Sequence, residues 1–571
     1  MNNDANLNEI SEVQGATPDF KAELASQLQE LVPEAITDGK VDVTKLNELL
    51  SDDTADESER FGLFWPGKKR AMRAAQESTP ATLKPAMNES KDWETTENVF
   101  IEGDNLEVLK VMQKHYHNSV KMIYIDPPYN TGKDFVYPDN YIEGLQSYLE
   151  YTKQLDEEGH KVSTNSETDG RYHSNWLNMM YPRLKLGRNL LTGDGVMYIS
   201  IDDHEAENLK KMCHEIFGEN NFLAQIVWAN KEGGGGSDST TFKVKHEYIL
   251  AYAKNKDKVR IYGEEVEDDS SYPHSDEFVA ERGKYKLIKL NSFSIQYSAS
   301  LDYPIAAPDG AEVVPEEDGR RAIWRWSRKK YDWGVENGFI VHKQKDDGRW
   351  IIYTKQYYRV DNDNQPIVRT LPPFALIEKY SSTGATKGIT ELFGKTKLFD
   401  YPKPFELIVK LAEWVTKDND LVLDFFSGSG TTAHAIMKLN ANDGGTRRNI
   451  QVQLPEPSKP DSEAYKAGYK NIADLAKERV RLAGEKVKAD VTKPLDVGFR
   501  AYKLADTNFT KWSTSSSVDV DALQQHLLTI RESSNDDATQ EDLLAELLLK
   551  LGVSLTARAE KKEVGGLPVW S

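Results

Sequence analysis

The sequence predicts an α/β protein: a doubly wound, largely parallel sheet with a β-rich insert and mostly helical extensions at both ends. Three observations predict it. Apolar strand-like runs alternate with helix-period segments over residues 91–254 and again over 396–505. Between them, over 255–395, that rhythm stops, and short β-like runs separated by Gly, Pro and Asp turns take over. Two of the strand-like runs also end abruptly in motifs of the kind that open α/β sheets hold at their ligand-binding edge.

Taken in order, residues 1–90 read as an acidic, mostly helical extension. Phe20, Leu24, Leu28 and Leu31 form one stripe, and Val43, Leu46, Leu49 and Leu50 suggest a second short helix. Residues 52–59 are a charged linker, 61–66 an aromatic docking segment and 80–88 a connector. Val99-Phe100-Ile101 is a short strand ending at Glu102-Gly103-Asp104, and Asp104 or Asn105 caps a helix over 106–115. Residues 122–125 are the next strand. The polar stretch 134–174 has no period and lies beside a motif, which suits a functional or mobile loop. A helix over 175–191, a Gly193-Asp194-Gly195 turn, a strand over 196–201, a helix over 204–217 and strands over 222–228 and 247–253 follow, with a glycine-rich loop at 231–237. Past the insert come a helix over 405–415, a strand over 421–424, a helix over 432–439, a strand over 450–454 and a long helix over 465–487. The tail, 506–571, carries leucine stripes at 523–530 and 543–548.

The first motif is Asp126-Pro127-Pro128-Tyr129, after the run Met122–Ile125. Two prolines remove two N–H donors and fix two φ angles, so the loop is stiff and its carbonyls face outward. Asp126 and the Pro127 carbonyl suit the two amino protons of a planar base, and Tyr129 suits its face. A strand-ending turn would look the same in isolation. The second motif, Leu421–Ala435, is an apolar strand, a glycine loop and a helix start. Gly428 and Gly430 permit close backbone approach, and Thr431 or Thr432 can cap the helix. The pair is far more specific than either half.

Together the motifs resemble those of the amino-group DNA methyltransferases that use S-adenosylmethionine. The catalytic motif comes first and the F-x-G-x-G motif about 300 residues later, which resembles the permuted β group. RFGLFWPGKKRAMR, TTENVFIEGDNLEVLK, HEYILAYAKNK, YPKPFELIVKLAEW and DVGFRAYKLADTNFTKW extend the likeness to the modification (Mod) subunits of type III restriction–modification systems, over almost the whole chain. The resemblance implies a permuted Rossmann-like methyltransferase core with its catalytic half at 91–254 and its cofactor half at 396–505. The insert, 255–395, would then be a target recognition domain. Asp126, Pro127, Pro128 and Tyr129 would be catalytic. Asp104, Lys403, Pro404, Asp424, Phe426, Gly428, Gly430 and Thr431 would serve the cofactor. The acidic residue that usually ends the next strand is out of place: QVQLPEP offers Gln453 and Glu456, and Gln453 is carried as the ribose contact. Implied partners are double-stranded DNA, a second copy of the chain and a restriction (Res) helicase-nuclease. The resembling chains run somewhat further, so a shortened C-terminus is also expected.

Composition narrows the classes. The chain has 571 residues, a formal net charge of −20 and a hydrophobic content of 39%. It has no apolar run near the roughly 18 residues that span a bilayer and opens on a polar, acidic stretch rather than a signal peptide. A cytoplasmic setting is expected. One cysteine, Cys213, excludes a disulfide framework and a cysteine-based zinc cluster. Set mid-helix without a preceding proline, it reads as core filler rather than the nucleophile of cytosine-C5 chemistry. No metal site is expected. The segment 388–396 has five residues where a phosphate loop needs four and no preceding strand, so it is not an ATP site. Residues 320–359 hold eleven Lys/Arg against four Asp/Glu, interleaved with Trp and Tyr. Arg325, Arg328, Lys329, Lys330 and Arg349 are the candidate DNA contacts. A β-rich domain with basic solvent faces and an aromatic core would account for about half of those aromatics. Adenine-N6 over cytosine-N4 rests on Asp at position 126, where resembling cytosine-N4 enzymes more often carry Ser. A stand-alone methyltransferase, a catalytically idle DNA-recognition scaffold and an RNA substrate stay open.

Overall fold

The computed structural model describes residues 63–131, 172–231, 242–508 and 539–570, less short breaks at 267, 318, 395–397, 400, 559–560 and 565–566, together with Leu28, 32–37 and 40–50. The stripes at 20–31 and 523–530, the linker, the glycine-rich loop and most of 134–174 therefore lie outside the described residues. The chain separates into two compact units, Met1–Arg260 with Phe374–Ser571, and Ile261–Pro373.

The larger unit is organised by a ten-stranded sheet. In chain order its strands are β1 (Thr82–Pro85), β2 (Val99–Glu102), β3 (Val120–Ile125), β4 (Leu191–Ile201), β5 (Phe222–Trp228), β6 (Glu247–Ala253), β7 (Leu376–Ile377), β8 (Leu421–Asp424), β9 (Arg448–Gln453) and β10 (Arg500–Ala505). In space they run β7-β5-β6-β4-β3-β8-β9-β2-β10-β1. From β4 to β10 every neighbouring pair is parallel; β6 is antiparallel to both β4 and β5, and β1 is antiparallel to β10. The late strands β8 and β9 sit between the early strands β2 and β3. The two halves of the sequence thus interleave in one sheet, which is the permuted order.

Helices α1 (Asn105–Tyr116), α2 (Tyr172–Leu190), α3 (Ala206–Phe217), α4 (Phe405–Val415), α5 (Thr431–Asp443) and α6 (Ile472–Ala489) cover the sheet. Both faces of β3 are buried, as a parallel strand between two helical layers requires. Ile123 and Ile125 join the core that includes Leu109, Met180 and Ile216, while Met122 and Tyr124 join the one that includes Leu407, Ile408 and Leu411. This alternation is the period-2 geometry of a strand.

Several elements differ from the sequence reading. The 80–88 connector contains edge strand β1, held by β10. The Gly193–Gly195 turn is continuous strand: a Cβ on Gly195 would stand 3.0 Å from the Val120 carbonyl, so glycine lets β4 run close past β3. The 465–487 helix begins at Ile472, after a short helix at Glu463–Lys466 and Gly468 with φ 100°. In the tail, helix Gln540–Leu551 is followed by a hairpin of Lys561–Val564 with Leu567–Trp570. The smaller unit starts later and ends earlier than 255–395, and the helix Ser382–Phe393 belongs to the larger unit. Gly388 lies inside that helix, not in a phosphate loop. Cys213 is fully buried on α3, and burial pushes its thiol far up, as core filler requires.

The smaller unit has a three-stranded antiparallel sheet, Tyr285–Lys289, Trp350–Tyr357 and Ile340–Gln344 in spatial order, with several two-stranded pairs. It also contains a helix, Arg328–Glu336, where β-like runs were expected.

Candidate active site

Strands β3 and β8 are paired in parallel with Met122 opposite Val422 and Ile123 opposite Leu423. The two motifs therefore leave the same sheet edge from adjacent strands, Asp126-Pro127-Pro128-Tyr129 from one and Phe426–Gly430 from the other. This is the one place where the sequence motifs and the topology had to agree.

Around Asp126 the structure assembles charges. The Lys403 ammonium lies 2.9 Å from Asp126 Oδ1 and 3.4 Å from Glu247 Oε2. Tyr129 donates its hydroxyl proton to Glu247 Oε2 at 3.1 Å, and Asn230 Nδ2 donates to Glu247 Oε1 at 2.5 Å. Lys403 also stands 4.8 Å over the Tyr129 ring and 5.8 Å over that of Trp228. Burial raises the Asp126 carboxyl above its ordinary range; Lys403 opposes the rise and Glu247 adds to it. Burial works against the charge of Lys403, but Asp126 and Glu247 outweigh it and hold its pKa above the usual lysine value. Burial, then the charges of Asp126 and Glu247, push the Tyr129 hydroxyl far up, so it remains a neutral donor.

The loop backbone is fixed from behind. Trp176 of α2 donates its indole N–H to the Pro128 carbonyl at 2.7 Å. Asn130, in the left-handed region at φ 62°, donates to Glu205 Oε1 at 2.6 Å. Glu205 is fully buried. The loop that carries Asp126 and Pro127 is thereby braced at Pro128 and at Asn130.

The glycine loop is held as tightly. Gly428 and Gly430 have φ of 54° and 80°. Gly430 also sits against α6, where a Cβ would lie 3.0 Å from Val480 Cγ2 and 3.2 Å from the Ala476 carbonyl. Asp424 is buried and accepts from Thr432 Oγ1 at 2.6 Å and the Phe426 N–H at 3.0 Å. Burial pushes its carboxyl up to about 7, with the charge of Asp126 adding to the rise. Gln453, at the end of β9, accepts the Gly428 N–H at 2.6 Å and donates to the Leu454 carbonyl at 3.0 Å. In this structure it braces the loop that the sequence reading assigned to the cofactor. Arg479 of α6, which the sequence did not flag, donates to Ser429 Oγ at 2.5 Å and Thr431 Oγ1 at 2.7 Å. Pro404 caps α4 without a side-chain hydrogen bond. Asp104 is fully buried: its Oδ1 caps α1 through the Leu106 and Glu107 N–H groups, and Oδ2 meets Arg183 at 3.3 Å. Its carboxylate is committed to the scaffold.

Lys403, expected on the cofactor side, lies against the Asp126 carboxylate. Glu247, Asn230, Trp176 and Arg479 were missed because nothing in their local patterns distinguishes them. A Glu opening a strand and an Arg on an amphipathic helix both read as ordinary surface residues. The half-buried carboxylates of Glu89, Glu102 and Asp474 lie side by side as a cation site would need, but Lys477 stands among them, 2.9 Å from Glu102 and in contact with Glu89.

In the smaller unit Trp324, Trp326, Tyr331 and Tyr357 are core. Arg325, Arg328, Lys329 and Arg349 are exposed. Arg328 pairs with Asp332 at 2.9 Å, Arg349 with Asp347 at 2.7 Å, and Lys330 pairs with Asp363 and stands 3.7 Å over the Trp333 ring.

A rigid carboxylate-bearing loop beside a glycine loop on adjacent parallel strands defines the class of amino-group methylases, and the sequence matches the N6/N4 DNA methylase family over residues 120–470. Among curated relatives, the Mod subunit of the type III restriction–modification enzyme StyLTI of Salmonella typhimurium is 33% identical over 505 residues, covering 87% of this chain and 74% of the relative. The EcoPI Mod subunit of Escherichia phage P1 is 34% identical over 479 residues, covering 78% and 72%. The chain belongs to this methylase family as a Mod subunit of the type III restriction–modification enzymes, and it is a DNA methyltransferase. The type II methyltransferase M.KpnI of Klebsiella pneumoniae is 32% identical, covering 68% of this chain and 88% of the relative. Among solved structures, the cytosine-N4-specific PvuII DNA methyltransferase is 12% identical with a TM-score of 0.32, covering 79% of this chain and 96% of that one. Among the described residues no helix is long and apolar enough to cross a membrane.

Proposed function

We propose that the chain transfers a methyl group from S-adenosylmethionine to N6 of an adenine flipped out of an asymmetric DNA site. The observation that carries this reading is the pairing of β3 with β8, which sets the acceptor loop at Asp126 against the donor loop at Gly428. The adenine N6 lone pair is delocalised into the ring and is a poor nucleophile. Hydrogen bonds from its two protons to Asp126 and the Pro127 carbonyl draw it toward tetrahedral geometry, in line with the methyl group. The protein's contribution is positioning and electrostatics. Tyr129 stacks on the extrahelical base. Phe426, Gly428, Gly430 and Thr431 form the cradle for S-adenosylmethionine, and Asp424, Gln453 and Arg479 hold that cradle in shape.

Residues 261–373 carry target recognition, with phosphate contacts from the first turn of helix Arg328–Glu336. Three successive cations there, Arg328, Lys329 and Lys330, oppose the helix dipole, an unfavourable placement that the Arg328–Asp332 pair on the same helix offsets only in part. A partner that supplies phosphates accounts for them. A Res subunit as partner, a homodimer and a cytoplasmic setting complete the proposal by analogy with the Mod relatives. The M.KpnI likeness favours a second reading, the same chemistry without a restriction partner. Incubation with radiolabelled S-adenosylmethionine and duplex DNA, followed by nucleoside mass spectrometry, tests the reaction. The expected product is N6-methyladenine; N4-methylcytosine would correct the base, and no labelled nucleoside would refute the proposal.

A further inference from the structure

Three charged side chains meet at the catalytic loop, and only one of them belongs to the motif. Asp126 and Glu247 share a single ammonium, that of Lys403, at 2.9 and 3.4 Å. These side chains are 27%, 20% and 10% exposed in the order Asp126, Glu247, Lys403, so their interaction is only partly screened by solvent. Asp126 cannot give the base amino group its full acceptor strength while Lys403 occupies it. Lys403 cannot leave without another counter-charge, because an unpaired buried ammonium is costly.

Glu247 supplies that counter-charge within the distance of a small side-chain rotation. It is also fixed for the task. Asn230 Nδ2 holds Oε1 at 2.5 Å, and Asn230 is itself buried. Oε2 faces both Lys403 and the Tyr129 hydroxyl. The same carboxylate therefore holds the ring that would stack on the base and the cation that covers the acceptor.

We infer that Glu247 is a positioning residue for methyl transfer: it takes Lys403 from Asp126 when the base amino group arrives, and it orients Tyr129. The inference rests on the methyl-transfer reading above. In the step it serves, the N6 lone pair attacks the methyl carbon. The new N–C bond forms, the S–C bond breaks, and its electron pair stays on sulfur as the neutral thioether. N6 then carries a positive charge and loses one proton to Asp126, from which it passes to solvent. Lys403 and Glu247 cancel each other, so the site keeps the net negative charge of Asp126 where that positive charge develops. A lysine left on Asp126 would oppose it.

The test is a double-mutant cycle on the full chain with Glu247→Gln, Lys403→Met and the pair. Gln keeps an acceptor for Tyr129 and nearly the same shape. Glu247→Gln is expected to lower the single-turnover rate on duplex DNA by about 100-fold while S-adenosylmethionine affinity, measured by calorimetry, changes by less than about threefold. That affinity also reports folding of each variant. Adding Lys403→Met to Glu247→Gln is expected to recover at least about tenfold, because Asp126 is freed. The pH profile gives a second readout. Among the described residues, the charged and titratable groups facing Asp126 are Lys403, Glu247, Tyr129, Tyr124 and Asp424. Removing Lys403 is expected to move the acid limb to higher pH, and removing only the Glu247 charge to lower pH. A double variant no faster than Glu247→Gln, or slow variants with unmoved acid limbs, would overturn the inference while leaving the function intact. A wild-type chain that methylates no DNA would instead remove the reading on which it rests.

Discussion

Arg479→Met separates what holds the fold from what holds the cofactor loop. Arg479 is 3% exposed, and the carboxylate whose charge acts on it, Glu406, only partly offsets its burial. Burial lowers its pKa from the ordinary arginine value to about 10. At ~1.4 kcal/mol per unit, keeping it charged costs the folded state roughly 3 kcal/mol. Against this stand its two hydrogen bonds to Ser429 and Thr431, charge-assisted and worth ~1.5–3 kcal/mol each. The two sums nearly cancel, and methionine refills most of the volume. The thermal midpoint should therefore move by the equivalent of about 0–3 kcal/mol. The loop, however, loses the anchor on two of its residues. Its entropy must then be removed when the cofactor binds, and about 1.4–2.8 kcal/mol of ordering corresponds to a 10- to 100-fold rise in KM for S-adenosylmethionine. The assay is methyl transfer at saturating DNA with cofactor varied, beside a thermal melt. An unchanged KM with a large fall in the melting midpoint would refute the reasoning, because it would make Arg479 a stability residue only.

Three further outcomes follow from the same geometry. Asp424→Asn should raise the melting midpoint at pH 7.5 and lose that advantage toward pH 4. The wild-type carboxyl, raised from 3.8 to about 7, binds a proton more tightly folded than unfolded, so stability falls as pH rises through that window, by about 4 kcal/mol at full burial; a difference constant with pH would contradict this. Gly430→Ala should weaken cofactor binding at least about tenfold, since a left-handed alanine costs ~1–2 kcal/mol and its Cβ would press on Val480 and the α6 backbone; calorimetry showing wild-type affinity would exclude that role for Gly430. Replacing Arg328, Lys329 and Lys330 by Ala should weaken DNA binding and lower the salt slope by about two to three, with cofactor affinity unchanged; an unaltered slope places the phosphate contacts elsewhere.

The sheet was legible because parallel strands buried on both faces leave uninterrupted apolar runs. Leu421–Asp424 is such a strand and is read at its observed bounds, as are Phe222–Trp228 and Glu247–Ala253 in the antiparallel part of the sheet. β1 was not legible: it is an edge strand in a Pro-flanked stretch, held by one partner. Strand β4 was cut short because Thr-Gly-Asp-Gly reads as a turn, whereas packing against Val120 calls for glycine there. The helix Arg328–Glu336 was hidden by its aromatics, which are β-favouring locally but serve a core whose other wall is the antiparallel sheet. At the site, Asp126 and the glycines were visible because their chemistry lies in contiguous motifs. Glu247, Asn230 and Arg479 were invisible because their hydrogen-bond partners lie 17 to 118 residues away along the chain.

The most direct test of the central claim is long-read, modification-sensitive sequencing of DNA from a methylation-free host expressing this chain alone, beside Asp126→Ala. The expected result is N6-methyladenine on one strand of a single asymmetric motif, absent from the variant. Unmodified DNA from a host making soluble protein, or a mark that persists in Asp126→Ala, would contradict it.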